Sequence, residues 1–375
     1  MEAKLVLLGD LMLGRFVYKK FLEREYQIVD EDIISFCKEH DFVVANLESP
    51  IIDSLPLAED HLVFQGGSDI LNQFDWIDLF SLSNNHINDC GSLGMSETVS
   101  ILDSLNLDHN GLYKNSYEPY KLDINGEKIA IITCTDMMNV EFSDDAPYKT
   151  LRVPAEKIFD VIKRSKKEGY FVILYAHVGL LFSRFPNPVI RDFLLKSCDF
   201  GADLVVTVHP HVLGGSEEYK GSRVVYSLGD FVMDGSSYRR RTSGILSITI
   251  DAGKLKDFHI KIARTDENLQ TSFLPSKRSK KYLNSFDYVS RKIAQNTRNY
   301  DKMFKRQYKF ELLQHSLSTL AFLYKTKGFS GLLKIITKRL HAVLAIAKRT
   351  FSDRSKLSYD HDAVDRSGKV KIDDL

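Results

Sequence analysis

The stretch KLVLLGD, residues 4–10, is a short continuous apolar run that ends in a glycine and a carboxylate. Apolar runs of this length, bounded by turn residues, are typical of strands buried on both faces of a sheet. Five later runs have the same plan and also end in side chains that can bind a metal. They are DFVVANLE (41–48), LFSLSNNH (79–86), FVILYAH (171–177), LVVTVHPH (204–211) and RVVYSLGD (223–230).

Segments with helical periodicity separate these runs as far as residue 230, and this alternation predicts a layered α/β fold. Residues 243–264 then form two alternating runs around Ala252-Gly253-Lys254, which predicts a β-hairpin that pairs onto a sheet edge. Because ligands of open α/β sheets collect at the carboxyl ends of strands, we expect the polar side chains that end the runs to lie together. The predicted helices are residues 31–38, 95–105, 155–167 and 188–198.

Charge is distributed unevenly along the 375 residues, although the formal net charge is only +1. The segment 276–350 carries 18 of the 51 Lys and Arg residues but only three of the 50 acidic ones, Asp287, Asp301 and Glu311. An acidic body with a basic appendage indicates catalysis in one part and an anionic partner for the other. We predict an α/β domain over 1–270, a basic and mostly helical extension over 276–350, and a polar, disordered tail over 351–375.

Cysteine use and hydropathy favour a cytoplasmic protein. Cys37, Cys90, Cys134 and Cys198 are far apart and form no Cys-x-x-Cys motif, which indicates neither a disulfide framework nor a zinc knuckle. No uninterrupted apolar run approaches the ~20 residues needed to cross a bilayer. A cleaved signal peptide is not expected, because its removal would take away Asp10, the first candidate metal ligand.

Histidines supply the strongest chemical signal at the strand ends, where four of the eleven lie. His209 and His211 are two residues apart, and in an extended segment both imidazoles would face one cluster. His86 is followed by Asp89, whose carboxylate is expected to hold one ring nitrogen and leave the other free to donate a proton. The alternative for both motifs is a set of polar strand-end or loop residues satisfied by backbone or water.

Two carboxylates lie at the ends of the first two runs. Asp10 follows Gly9, and its alternative role is that of a turn residue. Glu48, with Asn46 before it, has the alternative of capping a helix or turn at a surface strand end. Taken together with the histidines, these carboxylates predict a metal site with nitrogen and oxygen ligands, and hence a metallohydrolase.

Six short motifs follow one another within residues 4–235. They are GDLMLGR (9–15), NLE (46–48), NNHxxDxGxxG (84–94), HxG (177–179), GADLV followed by HPHV (201–212), and YSLGDF (226–231). Their order resembles that of the CapA family of capsule and poly-γ-glutamate synthesis proteins, a branch of the calcineurin-like metallophosphoesterases. The resemblance implies a metallophosphoesterase-like four-layer α/β/β/α sandwich of two mixed sheets flanked by helices, with a dinuclear metal centre at one end.

The resemblance also implies the ligands of that centre, carried over by motif position. Glu48 would bridge two divalent ions, which lie about 3.5–4 Å apart in such centres. The ions would be Mn²⁺ or Zn²⁺, with iron as an alternative, and one or two would bind per chain. The first ion would also take Asp10 and His211, and the second Asn85, His177 and His209.

Three further residues receive roles in the reaction, of which the resemblance supplies that of His86. His86 would be the general acid near the leaving group, and Asp89 would orient its ring. Arg15 would bind the phosphate or carboxylate group of an anionic substrate. These assignments extend the proton-donor interpretation of the His86 motif to a complete hydrolytic site.

Two positions differ from the family pattern, and a third, Met12, differs from that of the wider superfamily although the family shares it. Met12 stands where the wider superfamily has a histidine, and a thioether is a poor ligand for hard divalent ions. The first site would then keep only its two carboxylates and His211. Leu180 replaces a usual glutamate after His-x-Gly, and Asp230 replaces a usual asparagine. These last two differences bear on the substrate more than on the metals.

The basic extension contains a segment, residues 332–349, with an apolar arc and a basic arc on a helical wheel. One interpretation is that it lies on an anionic membrane surface, where each nearby Lys or Arg contributes ~1 kcal/mol. The other is that its apolar face packs on the catalytic domain or on a second copy of the chain. Residues 277–309 are basic but match no nucleic-acid reading motif, so no nucleic acid is expected.

Two functions of different kinds follow. The first is a metal-dependent hydrolase that cleaves a phosphoester or a related ester or amide bond in the synthesis of a bacterial capsule or surface polymer. The alternative is a non-catalytic accessory subunit that binds an anionic polymer, a membrane surface or a capsule synthase through residues 276–350. Either protein is expected in the cytoplasm or peripherally on the inner face of the membrane, and either is compatible with oligomers.

Overall fold

The computed structural model describes residues 2–321 apart from gaps at 24–25, 61, 137, 154–155, 236, 238 and 318–319. The strands in this part of the chain are β1 (Ala3–Leu11), β2 (Phe42–Leu47), β3 (Leu79–Ser81), β4 (His109–Asn110), β5 (Leu112–Tyr113), β6 (Tyr120–Ile124), β7 (Glu127–Thr135), β8 (Lys149–Thr150), β9 (Phe171–His177), β10 (Leu204–Val208), β11 (Ser216–Tyr219), β12 (Ser222–Val225), β13 (Asp230–Val232), β14 (Thr242–Asp251), β15 (Lys254–Thr265) and β16 (Thr271–Phe273). The α-helices are α1 (Arg15–Glu23), α2 (Glu31–Lys38), α3 (Gly91–Ser104), α4 (Glu156–Lys167), α5 (Pro188–Asp199), α6 (Ser276–Gln295) and α7 (300–317).

Two mixed sheets form the centre of the fold. The larger sheet has the order β16-β15-β14-β1-β2-β3-β4, and β13 also pairs with β1. In it β1 to β4 and β13 are parallel, whereas β14, β15 and β16 are antiparallel to their neighbours. The smaller sheet has the order β11-β12-β10-β9-β7-β6, with a parallel centre and antiparallel outer strands. Each sheet therefore gathers the carboxyl ends of its parallel strands at one edge.

Side-chain alternation along the central strands places one core between the sheets and one on each outer face. In β1, Leu5 and Leu7 enter the core between the sheets, whereas Val6 and Leu8 enter the core beneath α1, α2 and α3. Strand β9 alternates in the same way between the inner core and the core beneath α4, α5 and α6. The predicted four-layer α/β/β/α sandwich is therefore confirmed.

Local capping explains where several helices begin. Helix α2 has its predicted bounds, and Asp30 caps it by accepting a hydrogen bond from the backbone N–H of Asp32. Asn187 caps α5 with its side chain in the same way. Helix α3 begins at Gly91, whereas the predicted helix begins at residue 95. The prediction missed the first turn because that turn lacks the apolar periodicity that marks the rest of the helix.

The predicted hairpin is formed by β14 and β15. Its turn residues Ala252 and Gly253 have positive φ angles of 51° and 69°, the left-handed backbone of a tight hairpin turn. Two apolar runs form shorter strands than predicted. The third run is a strand only over β3, because the Asn84 side chain accepts a hydrogen bond from the backbone N–H of His86 and stabilises a turn. The sixth run breaks after β12 and resumes as β13.

Helix α6 contacts β11 of the smaller sheet and β15 of the larger one, with Phe286 in the core between the sheets. Val289 of α6 and Phe304 of α7 lie in the same core as α4 and α5. Glu311 of α7 is fully buried, and its carboxylate forms ion pairs with Arg184 and Arg239. These contacts fix the described part of the basic extension on the sandwich.

The division into three regions stays a prediction. Residues 276–295 and 300–317 of the basic extension are helical, as expected. The amphipathic segment 332–349 and the tail 351–375 lie outside the described residues. Among the helices that the structure describes, none combines the length and the apolar character needed to cross a membrane.

Candidate metal centre

The polar ends of the strands meet at one edge of the sandwich. Parallel pairing sets Asp10 of β1 beside Asp230 of β13, and β2 leads directly into Glu48. From the smaller sheet, β9 ends at His177, and the loop after β10 begins with His209. All five side chains are at most 1% exposed. The strand ends therefore lie together, as expected for ligands of an α/β fold.

One set of donors, called here the His177 group, contains Glu48, His177 and His209, whose ligand atoms all lie within 4.8 Å of one another. His177 Nε2 is 3.5 Å from Glu48 Oε1 and 2.9 Å from His209 Nδ1. Asn85 Oδ1 lies 2.7 Å from the same ring nitrogen. The structure thus brings together the residues that were predicted to bind the second ion.

A second set, the His211 group, contains Asp10, His211 and Asp230, again with ligand atoms within 4.8 Å of one another. His211 Nδ1 is 2.6 Å from Asp230 Oδ1 and 3.8 Å from Asp10 Oδ2. The two groups adjoin, because Asp10 Oδ1 lies 3.3 Å from His177 Nδ1. Glu48, which was predicted to bridge the two ions, belongs to the His177 group. Asp230 was absent from the predicted ligands.

Several donor atoms of the two groups are buried without a hydrogen-bond partner in the described part of the chain. They are both carboxylate oxygens of Glu48, Oδ2 of Asp230 and Nε2 of His209. A buried carboxylate oxygen without a partner is unfavourable, and a bound cation removes that penalty. Carboxylate, amide and imidazole donors suit Mn²⁺, Zn²⁺ and iron. The residues therefore fit divalent metal ions, the predicted class of cofactor.

Burial and neighbouring charges shift the pKa values within the cluster. Burial, and then the charges of Asp10 and Asp230, raise the pKa of Glu48 well above its ordinary value. Burial, and then the neighbouring ring of His177, lower the pKa of His209 well below its ordinary value, which keeps this ring neutral. Burial also tends to raise the pKa of Asp10, but the interactions with His177 outweigh it and lower that pKa. A neutral imidazole and an ionised aspartate are the forms that bind metal.

His86 lies beside the His177 group with its ring held by several contacts. Its Nδ1 is 2.7 Å from Asp89 Oδ2, and its Nε2 is 4.0 Å from Glu48 Oε1. The ring stacks on Phe64, with 3.5 Å between centroids and 6° between planes. Asn139 Nδ2 is 3.1 Å from each ring nitrogen. The expected contact between Asp89 and one ring nitrogen is present, and the other nitrogen, Nε2, lies near both Asn139 and the buried carboxylate of Glu48.

Arg15 contacts Phe64, the residue on which the His86 ring stacks. Its guanidinium carbon is 4.7 Å from the centroid of the Phe64 ring. Arg15 also forms an ion pair with Asp234, with its Nε 3.1 Å from Oδ2. The positive charge is therefore shared with a carboxylate that the sequence did not reveal. Binding of a substrate anion by Arg15 stays a prediction.

The His-Pro-His segment was predicted to be extended, but the structure shows a turn there. His209 and His211 have positive φ angles of 98° and 54°. The turn is held by the backbone N–H of His209, which donates to Asp10 Oδ2 at 2.9 Å. Such backbone conformations cost roughly 1–3 kcal/mol each outside glycine and are concentrated at functional sites. Both rings belong to the cluster, but the predicted reason, an extended segment with one shared face, is wrong.

Two asparagines that touch the cluster received no role from the motifs, although Asn46 opens the NLE motif. Asn46 Nδ2 donates to Asp10 Oδ1 at 2.8 Å and lies 3.1 Å from His177 Nδ1. Asn139 follows a seventh apolar run, IAIITCTD (129–136), whose strand β7 ends at the same edge of the smaller sheet. The run resembles the other six, so its strand end was a usable signal.

Met12 contributes no ligand to either donor group. Its side chain is fully buried in the core beneath α1, α2 and α3, and its sulfur accepts a hydrogen bond from the Gly14 N–H at 3.2 Å. The His211 group nevertheless holds three donors, because Asp230 lies beside Asp10.

Comparisons with known proteins agree with the motifs. The family model described as bacterial capsule synthesis protein PGA_cap matches residues 4–235. The PGA biosynthesis protein CapA of Bacillus subtilis (strain 168) is 30% identical over 249 residues, 64% of this chain and 65% of that protein. The capsule biosynthesis protein CapA of Bacillus anthracis is 24% identical over 257 residues, 64% of this chain and 62% of that protein. The match thus spans less than two thirds of either relative.

Among solved structures, the NAD nucleotidase of Haemophilus influenzae aligns over 77% of this chain and 63% of that chain, with 16% identity and a TM-score of 0.43.

Proposed function

Because this chain belongs to the bacterial capsule synthesis protein family, we propose that its buried cluster is a metal-dependent hydrolase centre that acts in the synthesis of a capsule or related surface polymer. The bond cleaved is a phosphoester or a related ester or amide bond. The observation that carries the proposal is the Glu48 carboxylate, which is fully buried with neither oxygen hydrogen-bonded in the described part of the chain. Such a carboxylate beside a neutral imidazole is a donor arrangement typical of metal sites.

Divalent ions held by the two donor groups would lower the pKa of water and stabilise charge on the attacking and leaving oxygens. Side chains of the protein supply the proton and position its donor. His86, held through Nδ1 by Asp89 and stacked on Phe64, donates the proton of Nε2 to the leaving oxygen. Asp89 also accepts a hydrogen bond from the Phe64 N–H at 2.9 Å, so one carboxylate positions both the acid and its stacking partner.

The side chains around the His211 group favour an anionic substrate. The ring of Phe182 is 6.4 Å from that of His211, and the guanidinium carbon of Arg240 is 4.9 Å from the Phe182 centroid. Arg15 supplies a second guanidinium next to the Phe64 ring. Guanidinium groups bind phosphate and carboxylate through paired hydrogen bonds. An anionic polymer such as poly-γ-glutamate, or a phosphorylated precursor, meets this requirement.

Metal analysis combined with turnover tests the hydrolase. Wild-type protein that is loaded with Mn²⁺ and dialysed is expected to retain metal and to hydrolyse p-nitrophenyl phosphate or bis(p-nitrophenyl) phosphate. His209→Ala removes a buried donor whose Nε2 has no partner in the described residues, and it should lose both metal and turnover. His259→Ala, the same change at an exposed residue of β15, is the control and should lose neither. Wild-type protein without metal, or metal-loaded protein that cleaves neither ester nor poly-γ-glutamate, would contradict the assignment.

An exposed face of α7 favours a second candidate function, an accessory subunit that docks on an anionic membrane surface. Phe310, Leu313 and Leu317 recur at helical spacing and are 49%, 57% and 57% exposed. A helix that presents apolar and basic side chains together binds anionic lipid surfaces. Four basic residues of α7 are also exposed, Lys302, Lys305, Arg306 and Lys309.

Vesicle flotation measures this docking. We expect the full chain to float with vesicles that contain phosphatidylglycerol and not with neutral phosphatidylcholine vesicles. The double change Leu313→Glu and Leu317→Glu should lower the bound fraction about tenfold or more, because each buried leucine contributes about 1.5–3 kcal/mol. Val189→Glu, at a 52% exposed position of α5, is the control. Equal flotation of the α7 variant and the control, or binding to soluble poly-γ-glutamate in place of vesicles, would overturn membrane docking.

A further inference from the structure

One carboxylate of the cluster is absent from the ligands that the motifs implied. Asp230 is fully buried, its Oδ1 lies 2.6 Å from His211 Nδ1, and its Oδ2 has no hydrogen-bond partner among the described residues. We propose that Asp230 is a direct metal ligand, a role that rests on the metal centre proposed above. The His211 group then offers two carboxylates and one imidazole, a donor set that suits a hard divalent cation such as Mn²⁺.

Strand pairing explains why the two carboxylates of this group meet. Strand β13 runs parallel to β1, and Asp230 is the registered partner of Asp10. The Asp10 N–H donates to the Gly229 carbonyl at 3.1 Å, and the Met12 N–H donates to the Val232 carbonyl at 3.0 Å. Hydrogen bonds therefore hold β13 on both sides of Asp230. Both carboxylates enter the His211 group because registered residues of neighbouring strands share a face of the sheet.

A competing role for Asp230 is to orient His211 through the hydrogen bond alone, as carboxylates behind metal-binding histidines do. That role uses only Oδ1 and leaves Oδ2 buried without a partner. It also leaves Asp10 and Asp230 adjacent and buried with no ion shared between them, an unfavourable arrangement of like charges. A cation bound by the whole His211 group accounts for both observations.

Substitution by asparagine separates the two roles, since its amide is uncharged but still accepts a hydrogen bond from His211. If Asp230 is a ligand, Asp230→Asn replaces a charged carboxylate oxygen by a weaker, neutral amide donor, and the weakened site is expected to lose its Mn²⁺ during gel filtration, so that one ion per chain is retained where wild type retains two. Elemental analysis after gel filtration measures the stoichiometry, and the EPR signal of free Mn²⁺ during titration measures the affinity. If Asp230 only orients His211, Asp230→Asn keeps two ions, while Asp230→Ala weakens binding by about 10–100-fold.

The controls keep this test distinct from that of the hydrolase. Asp257→Asn, at an exposed residue of β15, should bind as wild type does. Two Mn²⁺ ions retained by Asp230→Asn would overturn the ligand role whatever happens to hydrolysis. Two ions in wild type and one in the variant, with no hydrolysis by either, would support the ligand role and contradict the proposed function. Circular dichroism checks folding. Should the asparagine variant not fold, the stoichiometry of Asp230→Ala decides, with one ion expected for a ligand and two more weakly bound ions for a residue that only orients His211.

Discussion

Replacement of His86 by asparagine is expected to lower the turnover of an ester with a poor leaving group, such as phenyl phosphate, by about 10²–10⁴-fold. Asparagine has a similar shape but no proton to give at neutral pH. His86 lies outside both donor groups, with its Nε2 4.0 Å from Glu48 Oε1, so the metal content should not change. Turnover of p-nitrophenyl phosphate should fall much less, because p-nitrophenolate leaves without a proton.

The ratio of the two turnover rates therefore measures the contribution of the proton donor. His259→Asn, at an exposed position, should leave this ratio unchanged. Asp89→Asn retains a side-chain acceptor for the His86 ring and should change the ratio in the same direction but by less. Equal losses on both esters, or loss of bound metal from His86→Asn, would contradict the role of general acid.

Glu48→Gln is expected to act in opposite directions on activity and on the stability of the metal-free protein. Activity should fall by about 10³-fold or more, because an amide replaces the charged ligand of the His177 group. The metal-free variant should be more stable than metal-free wild type by about 1–3 kcal/mol near pH 8, because it no longer buries a carboxylate whose oxygens lack partners. Added Mn²⁺ should reverse this order, since it binds and stabilises folded wild type.

The sign of the pH dependence follows from the raised pKa of Glu48, which burial and then Asp10 and Asp230 produce. The folded state holds this proton more tightly than the unfolded state does. The stability that it contributes is therefore present at low pH and declines as the pH rises above the ordinary value of 4.5. Urea unfolding of the metal-free proteins measures this. The free energy of unfolding of Glu48→Gln should exceed that of wild type by an amount that grows from pH 5 to pH 8. A constant gap, or the same trend in the exposed control Glu39→Gln, would refute this.

Local signals made much of the fold predictable. Strands β1 and β9 are continuous apolar runs, α2 has an aspartate cap, and the hairpin has an Ala-Gly turn that accepts a left-handed backbone. The gathering of candidate ligands followed from the same signals, because the carboxyl ends of parallel strands meet at one edge whatever their connecting loops do. The resemblance then supplied roles that spacing alone left open.

Contacts between distant parts of the chain account for what the sequence did not predict. Asp230 becomes a neighbour of Asp10 only through the pairing of β13 with β1. The left-handed turn at His209 is also held by Asp10, through the hydrogen bond to its backbone N–H. Glu311 lies in a segment whose composition is that of a solvated basic helix, yet two arginines from other parts of the chain pair with it in the interior.

The late position of β13 in the chain would govern when the proposed centre could acquire ions. Synthesis proceeds from the amino terminus, so Asp10 and Glu48 emerge before the strand that completes the His211 group. At about 5–20 residues per second, Asp230 follows Glu48 by about 10–35 s. Throughout that interval a metal meets an incomplete set of donors. Metal uptake by the proposed centre would therefore follow the pairing of β13 with β1, after residue 230 has been synthesised.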